Sequence, residues 1–305
     1  MDYIAIGKMI KQLRKNKGMS QTKLAEGIMS AKSLGKLERG NQAINKINLD
    51  KLISKLGYVA KRFFAYPLTE GEFHAFELHR QFKIESRKGN KEKMDTIIKE
   101  MESMPEFKSD LHKQQLLKYK ADILSQPNAS TLPEALQLYN KAIRMSYPKF
   151  APNLVNLYFL SSIDRDTIGA MASTMYELGQ KANAINLLEK LAANVNNKII
   201  DGHEKARAMA FALYLLSKYL GLERRHEEAL AACNKGIEVS EANEAFNLLP
   251  DLNFNKACGL HYTGKHEDVH EYLYKAYYCA IAHGNKKIAE EIMCNAKLLF
   301  NVAIR

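Results

Sequence analysis

Basic and hydroxyl side chains cluster in the segment GMSQTKLAEGIMSAKSLGKLERG, residues 18–40. Ser20 and Ser30 each precede a short run that places apolar residues on one helical face, which predicts two capped helices over 21–28 and 31–39. Gly40 would end the second helix. A short helix with outward basic and hydroxyl groups can donate hydrogen bonds to base edges in the major groove of DNA.

Side chains at the start of the second helix would face the groove, and those at the start of the first would meet phosphate. Lysine can donate to guanine, and serine accepts several bases. An ordinary helical hairpin with a solvated basic face is the alternative. The predicted DNA-binding residues are Gln21, Lys23, Ala31, Lys32, Ser33, Lys36, Arg39 and Asn41.

The positive charge of the chain is concentrated in its first fifth. Residues 1–66 hold 14 basic and 4 acidic side chains, whereas the rest of the chain holds 31 basic and 30 acidic ones. A generally basic protein would spread its charge. The asymmetry therefore indicates a module that binds a polyanion, joined to a neutral body, and favours DNA binding over the hairpin interpretation.

Apolar periodicity predicts five helices in the DNA-binding module. Beside the two helices above, they cover residues 4–16, a segment that Asn48 caps and Gly57 ends, and residues 59–65. The run YPLTEG breaks the pattern, so we place a domain boundary after residue 66, a short linker at 67–70 and a second domain at 71–305.

The second domain has the pattern of paired helices, beginning with 72–85 and 91–101. A signature of small, bulky and small residues recurs in the second helix of four later pairs, with glycines Gly179, Gly221 and Gly264 as punctuation. Residues 288–302 predict a terminal capping helix. Stacked pairs would form a solenoid with a concave face, and a closed bundle would not need the recurring signature. The signature residues are Ala135/Tyr139/Ala142, Ala184/Leu188/Leu191, Ala229/Cys233/Gly236 and Val269/Leu273/Ala276.

Other function classes lack a motif. The sequence contains no glycine-rich nucleotide loop and no hydrolase nucleophile motif, so we expect no enzyme and no cofactor. The four cysteines are scattered without CxxC spacing, which is typical of buried thiols in a reducing compartment. His266 and His270 lack further metal ligands, and we expect no metal. No secretion signal and no long apolar run is present, which predicts a cytoplasmic protein without a membrane partner.

The run SQTKLAEGI followed by SLGKLERG resembles the helix-turn-helix of phage-repressor-like regulators. One departure is Gly35, where that pattern usually has serine. The turn is one residue shorter than the commonest form, as in the peptide-responsive Rgg/PlcR-type (RRNPP) regulators of Gram-positive bacteria, which the domain layout also resembles. The match covers Ser20, Gln21, Leu24, Ala25, Ile28, Leu37, Glu38 and Gly40.

The resemblance implies an all-α protein: a five-helix repressor-like domain, then a right-handed superhelical solenoid of tetratricopeptide-like helix pairs. In that family the repeat domain dimerises and binds a short, re-imported signalling peptide in its concavity, as part of quorum sensing. The motif DLNFNKACGLHY resembles a family helix whose asparagine clamps the peptide, and this assigns the clamping role to Asn255.

Asparagine amides suit an extended peptide because they can bond both its N–H and its C=O groups, while aromatic and cationic side chains would form the walls. The predicted peptide-binding residues are Asn153, Asn156, Tyr214, Lys218, Asn253, Asn255 and Tyr262.

The sequence thus predicts a transcription regulator that binds double-stranded promoter DNA with palindromic half-sites and is controlled by a short signalling peptide. We expect a homodimer formed through the apolar C-terminal segments 272–281 and 288–299. Two alternatives stay open: a constitutive regulator whose repeats only dimerise, and an adaptor whose repeats bind a partner protein.

Overall fold

A computed structural model describes residues 3–44, 46–56, 70–108, 110–126, 129–158, 160–198 and 202–304. These residues form α-helices, short 3-10 turns and connections, with no strand among them, so the all-α prediction is confirmed. The helices are α1 Tyr3–Asn16, α2 Gln21–Ala25, α3 Ala31–Glu38, α4 Lys46–Lys55, α5 Glu70–Lys88, α6 Lys91–Ser103, α7 Asp110–Leu124, α8 Leu132–Ser146, α9 Ser162–Glu177, α10 Lys181–Lys198, α11 Gly202–Leu222, α12 His226–Ala242, α13 Leu249–Tyr262, α14 Val269–Ala282 and α15 Lys286–Phe300.

Tertiary contacts divide the chain into two units, Met1–Gln81 and Phe82–Arg305. The division falls within α5, whose first part groups with the first unit. Residues 67–69 of the predicted linker lie outside the described residues, and Glu70 opens α5. The predicted domain boundaries therefore stay predictions. Among the described residues, no helix is both long and apolar enough to cross a membrane.

The first unit is built on capped helices, as the sequence predicts. The Ser20 hydroxyl accepts a hydrogen bond from the Lys23 N–H at 3.1 Å, and the Ser30 hydroxyl accepts one from the Ser33 N–H at 3.0 Å. These bonds satisfy backbone donors that a helix start leaves open. The core beneath consists of buried apolar residues from α1 to α4, among them Ile10, Leu24, Leu34, Leu37, Leu49, Leu52 and Ile53.

Four boundaries in this unit differ from the prediction, the first being α1, which begins one residue early at Tyr3. Helix α2 ends at Ala25 and not at residue 28, because Gly27 takes a left-handed φ of 75° and turns the chain toward Ser30. Helix α3 ends at Glu38, one residue early. Helix α4 begins at Lys46, so Asn48 lies inside the helix and is not its cap. Gly57 and the predicted fifth helix at 59–65 lie outside the described residues.

The second unit consists of helices stacked in chain order, and from α6 onward each helix packs on the next. Every residue of the recurring signature is buried. The reason for small side chains is visible at Gly236 of α12, where an added Cβ would lie 2.9 Å from a Leu252 methyl group of α13. Close approach of successive helices thus needs the small positions of the signature.

The predicted turns are confirmed at two of three glycines. Gly179 and Gly264 have left-handed φ values of 81° and 79°, a region that glycine enters without steric cost. Gly221 instead lies inside α11, and Arg224 takes the left-handed position of that turn with φ 60°. The capping helix is observed as α15, starting two residues before the predicted 288 and ending at Phe300.

Replacing glycine by alanine should have opposite effects on the stability of the first unit in α1 and in α3. A Cβ on Gly7 would lie 2.0 Å from the Leu37 carbonyl oxygen, so Gly7→Ala must push α1 from α3 and should destabilise the unit by roughly 3 kcal/mol. At Gly35 the nearest atom would be 3.4 Å away, so Gly35→Ala should stabilise the unit by about 1 kcal/mol.

Hydrogen exchange of amides in α1 to α3, measured by mass spectrometry on the full chain, checks both changes. Gly7→Ala should speed exchange in these helices, and Gly35→Ala should slow it. Equal exchange in the two variants would contradict the packing described here.

Candidate nucleic-acid interface and ligand cavity

A buried ion pair joins the three helices of the helix-turn-helix. Arg14 of α1 donates from Nε and Nη2 to the two carboxylate oxygens of Glu38 in α3, at 2.6 and 2.9 Å. Gln21 of α2 donates from Nε2 to the same carboxylate at 2.7 Å, and Arg14 also donates to the Met19 carbonyl. The Glu38 side chain is only 2% exposed, so these bonds fix the relative positions of α1, α2 and α3.

The pKa of Glu38 reflects a balance between burial and these bonds. Burial raises the pKa of the carboxyl group, but hydrogen bonds from Arg14 and Gln21 and the positive charge of Arg14 outweigh it, and the net shift is downward. The ionised form is therefore favoured in the folded state. Its contribution to stability is present above the pKa of an unfolded glutamate and is lost as the pH falls through the lower folded pKa.

The outer side of α2 and α3 carries exposed cations. Lys23, Lys32, Lys36 and Arg39 are exposed and form no ion pair with any described residue, and Asn41 is exposed after α3. Ala31 and Ser33 are half-buried, and the Ser33 hydroxyl lies 2.9 Å from that of Ser30. Cations without internal partners on one side of a short helix provide the charge that contact with phosphate and base edges needs.

Two residues of this region have interior positions. Gln21 is half-buried, and its amide nitrogen donates one of its two hydrogens to Glu38, so the second hydrogen is left for another acceptor. Gly35 is buried with the side chains of Gln21 and Arg39 above it. The departure from the family pattern at Gly35 therefore removes no group from the exposed face of α3.

The second unit contains a cavity of about 820 Å³ between α11, α13 and α15, with the start of α12 at one end. Because short connections join each helix to the next, neighbours run antiparallel, and these three alternate helices run in the same direction. Four of the predicted peptide-binding residues line the cavity together: Tyr214, Lys218, Asn255 and Tyr262.

Asn255 is oriented by α11. Its amide nitrogen donates to the Ser217 hydroxyl at 2.9 Å and to the Tyr214 carbonyl at 3.3 Å, and Ser217 itself donates to the Tyr214 carbonyl at 2.9 Å. Both amide hydrogens are thus used within the protein. Only the carboxamide oxygen is open to the cavity, so Asn255 offers an acceptor and not the two-sided clamp that the sequence predicts.

Three predicted asparagines do not line this cavity. Asn153 is exposed and Asn156 half-buried in the 3-10 segment Pro152–Leu157, outside the helices of the cavity. Asn253 is 4% exposed, and its amide donates to the Leu249 carbonyl of its own helix at 2.8 Å. Asn253 therefore faces the core, because it lies two residues from Asn255 and helical geometry turns it away.

Sequence reasoning found Lys218 but missed other polar residues of the cavity. Asp251 precedes Asn255 by four positions, so extension of the same helix face would have found it. Arg224 follows α11 in a turn that was assigned to Gly221. Glu291 and Asn295 lie on α15, and only the tertiary packing brings that helix to the cavity.

The two ends of the cavity differ in chemistry. Asp251 and Glu291 lie near the starts of α13 and α15, whereas Arg224, His226 and Tyr262 lie where α11 and α13 end. His226 stacks on Tyr262 with ring centres 4.8 Å apart. Burial, together with the charge of Glu291, raises the pKa of Asp251 to about 6 against the opposing effect of Lys218. Burial likewise raises the pKa of Cys258 in the wall to about 12, so its thiol stays protonated at neutral pH.

The comparisons agree with this architecture. Residues 10–62 match the family model described as Helix-turn-helix. No curated protein matches the chain in sequence. Among solved structures, PlcR of Bacillus thuringiensis in complex with the peptide PapR7 and DNA has 17% identity and a TM-score of 0.65, over 94% of this chain and 98% of that one.

Two further structures are similar over almost the whole chain. ComR from S. thermophilus, in complex with DNA and its signalling peptide ComS, has 17% identity and a TM-score of 0.57, over 97% of this chain and 100% of that one. Rgg2, an SHP pheromone receptor of Streptococcus dysgalactiae, has 12% identity and a TM-score of 0.59, over 96% of this chain and 98% of that one.

Fold and sites together define a helix-turn-helix unit followed by a body of stacked helix pairs. The chain shares this fold with PlcR, ComR and Rgg2, and the predicted resemblance is confirmed at the level of fold.

The buried ion pair makes a prediction for stability. Arg14→Met leaves the Glu38 charge buried without its main partner and should destabilise the first unit by about 3–5 kcal/mol. The double variant Arg14→Met/Glu38→Met removes that charge as well and should recover most of the loss. Hydrogen exchange in α1 to α3 measures both, and a double variant as unstable as the single one would contradict the assignment.

Proposed function

We propose that this protein is a cytoplasmic DNA-binding transcription regulator, and not an enzyme, whose helix-pair body binds a short signalling peptide. One observation carries the proposal: Tyr214, Lys218, Asn255 and Tyr262, all predicted as peptide contacts, converge on one 820 Å³ cavity in a chain that begins with a helix-turn-helix. The volume lies in the range of sites that enclose small ligands.

The exposed cations of α2 and α3 support the DNA-binding part. In this proposal Lys32 and Lys36 reach base edges, with Ala31 and Ser33 beside them, while Lys23 and the second amide N–H of Gln21 donate to the sugar-phosphate backbone. Arg39 and Asn41 extend the contact at the end of α3. The structures of PlcR and ComR with DNA support this, since both share the fold.

The open carboxamide oxygen of Asn255 supports the peptide-binding part, because an extended peptide presents backbone N–H groups that need acceptors. Tyr214 and Tyr262 provide aromatic walls, and Lys218 provides a cation for an acidic side chain or a terminal carboxylate. PlcR was solved with PapR7 and ComR with ComS, which places peptide ligands on proteins of this fold.

We further propose that the protein forms a homodimer through its C-terminal helices, and that this dimer binds two palindromic half-sites. Large apolar side chains are exposed on α14 and α15, including Tyr278 at 53%, Ile281 at 46% and Leu298 at 76%. Exposed apolar groups concentrated on two adjacent helices favour an interface over a solvated cap.

The DNA-binding face predicts different effects for two lysines. Lys32→Ala should weaken binding to the protein's own promoter by about 1–3 kcal/mol and relax the base preference at one position. Lys23→Ala should weaken binding to all sequences alike and lower the salt slope by about one, because it removes a phosphate contact. Titrations at several salt concentrations measure both effects.

Lys99→Ala serves as the control, since Lys99 is an exposed lysine of α6 in the second unit. It should leave DNA binding unchanged. If Lys32→Ala and Lys23→Ala both behave like this control, the α2–α3 face is not the DNA interface.

The cavity predicts a loss of peptide affinity for Asn255→Ala. The change removes the acceptor and should weaken binding by roughly 1–3 kcal/mol, measured by calorimetry with the peptide encoded beside the gene. Asn153→Ala, at an exposed position away from the cavity, is the matched control and should bind normally.

The same titrations separate the alternatives. Asn255→Ala should leave DNA affinity of the peptide-free protein unchanged. Equal peptide affinity in the variant and the wild type would remove Asn255 from the site. If the wild-type protein binds DNA but no peptide, the constitutive-regulator alternative is supported. If it binds neither DNA nor peptide, the protein-binding adaptor is the alternative that is supported.

A further inference from the structure

The charges in the α11/α13/α15 cavity are separated along its length. Two carboxylates, Asp251 and Glu291, lie at the end where α13 and α15 begin. The cation Arg224 and the His226–Tyr262 stack lie at the opposite end, and Lys218 lies on the wall of α11. The cavity is thus balanced in formal charge and has one acidic and one basic end.

The acidic end is incompletely satisfied within the chain. Asp251 is half-buried and forms no ion pair with any described residue. Glu291 has only Lys287 of its own helix, with Nζ and Oε1 4.0 Å apart, at the limit of an ion pair. Lys218 is close enough to affect Asp251, but its Nζ lies over the Tyr219 ring, 5.2 Å from the centre.

Placing Asp251 in the wall of this cavity, near a second carboxylate, has a cost. Burial of Asp251 disfavours its charged form, and the negative charge of the exposed Glu291 adds to this, so the pKa of Asp251 is raised. A cation bound between them would restore the lost solvation and remove the repulsion. Charge-assisted hydrogen bonds in such a setting are about twice as strong as neutral ones.

We propose that the peptide bound in this cavity carries a cationic nitrogen group, an ammonium or a guanidinium, that binds between Asp251 and Glu291. This inference rests on the proposed peptide binding and names the chemical class of the ligand. The group is either the peptide's N-terminal ammonium or the side chain of a lysine or arginine. In both cases a carboxylate or other acceptor of the same peptide reaches the opposite end at Arg224.

A positional-scanning library of heptapeptides tests the proposal without knowledge of the natural ligand. Each pool fixes one residue at one position, and each is made with a free and with an acetylated N-terminus. Binding of every pool to the full chain is measured by competition against one fluorescent pool. If a side chain supplies the cation, pools that fix Lys or Arg near one end should bind about tenfold more tightly than pools that fix Asp or Glu there.

Acetylation separates the two sources of the cation. If the N-terminal ammonium is recognised, acetylation weakens every pool, and a lysine elsewhere does not compensate. If a side chain is recognised, acetylated Lys and Arg pools keep their advantage.

Two isosteric variants connect the preference to the carboxylates. Asp251→Asn and Glu291→Gln should each weaken binding of the pools that carry the recognised cation severalfold, while pools that lack it bind as before. The second variant guards against misfolding, because Glu291 is exposed. Asn295→Ala, which changes an uncharged residue of the same wall, is the matched control and should keep the preference for cationic pools.

The pH dependence provides a readout that a structural role would not give. Asp251 has a pKa of about 6, with Tyr214 and Lys218 of α11 and Glu291 of α15 facing it. Because protonation removes its charge, the cationic preference should fall between about pH 7.5 and about pH 5.5, and it should not change with pH in Asp251→Asn.

The outcomes distinguish the proposed cationic group from the proposed peptide binding. Peptide binding that neither prefers Lys or Arg pools nor weakens on acetylation, or that prefers acidic pools at that end, would overturn this inference and leave the proposed function intact. Failure of every pool to bind would instead contradict the proposed peptide binding itself.

Discussion

The body of this protein depends on how closely neighbouring helices approach. Glycine and alanine at the signature positions let neighbouring helices approach closely, and the facing leucine side chains fill the space between them. At Gly259 of α13 an added Cβ would lie 2.7 Å from Leu230 of α12, as Gly236 of α12 does with Leu252 of α13. The two helices thus accommodate each other in both directions. This reciprocal packing fixes α13, which carries Asn255 and Tyr262 of the cavity, against α12.

In the helix-turn-helix unit, the buried charges are paired with each other and the exposed cations of α2 and α3 are not neutralised by them. The one buried carboxylate described there, Glu38, is matched with Arg14 and Gln21, so it does not neutralise the exposed lysines of α2 and α3. An acidic residue at the surface of α3 would have cancelled part of the field that attracts a polyanion. The internal pair therefore orders the helices and leaves the outer face strongly positive.

The sequence predicted those elements whose cause is local. Caps at Ser20 and Ser30, left-handed glycines at 179 and 264, and the buried signature all follow from residue type and spacing, and all are observed. It missed the early end of α2, because Ile28 continues the apolar pattern and only the backbone of Gly27 shows that the helix has stopped.

The residues of the candidate site likewise fall into those that local spacing predicts and those that it does not. Tyr214 and Lys218 are one helical turn apart, and Asn255 and Tyr262 are two turns apart, so spacing alone brings each pair to one face. The prediction for Asn253 considered its residue type and left out its position around the helix, which turns it away from the face that carries Asn255. Glu291 and Asn295 were out of reach, since no local pattern tells which distant helix closes a cavity.

The bonds that hold Asn255 have a consequence for the energetics of recognition. Its amide is fixed by the Ser217 hydroxyl and the Tyr214 carbonyl, so the acceptor is preorganised and a ligand loses little free energy to order it. When a peptide N–H donates to that oxygen, the polarised amide becomes a better donor to α11. In the proposed complex, a bound peptide and the contact between α11 and α13 would strengthen each other, and the repeat body would become more rigid beside its ligand.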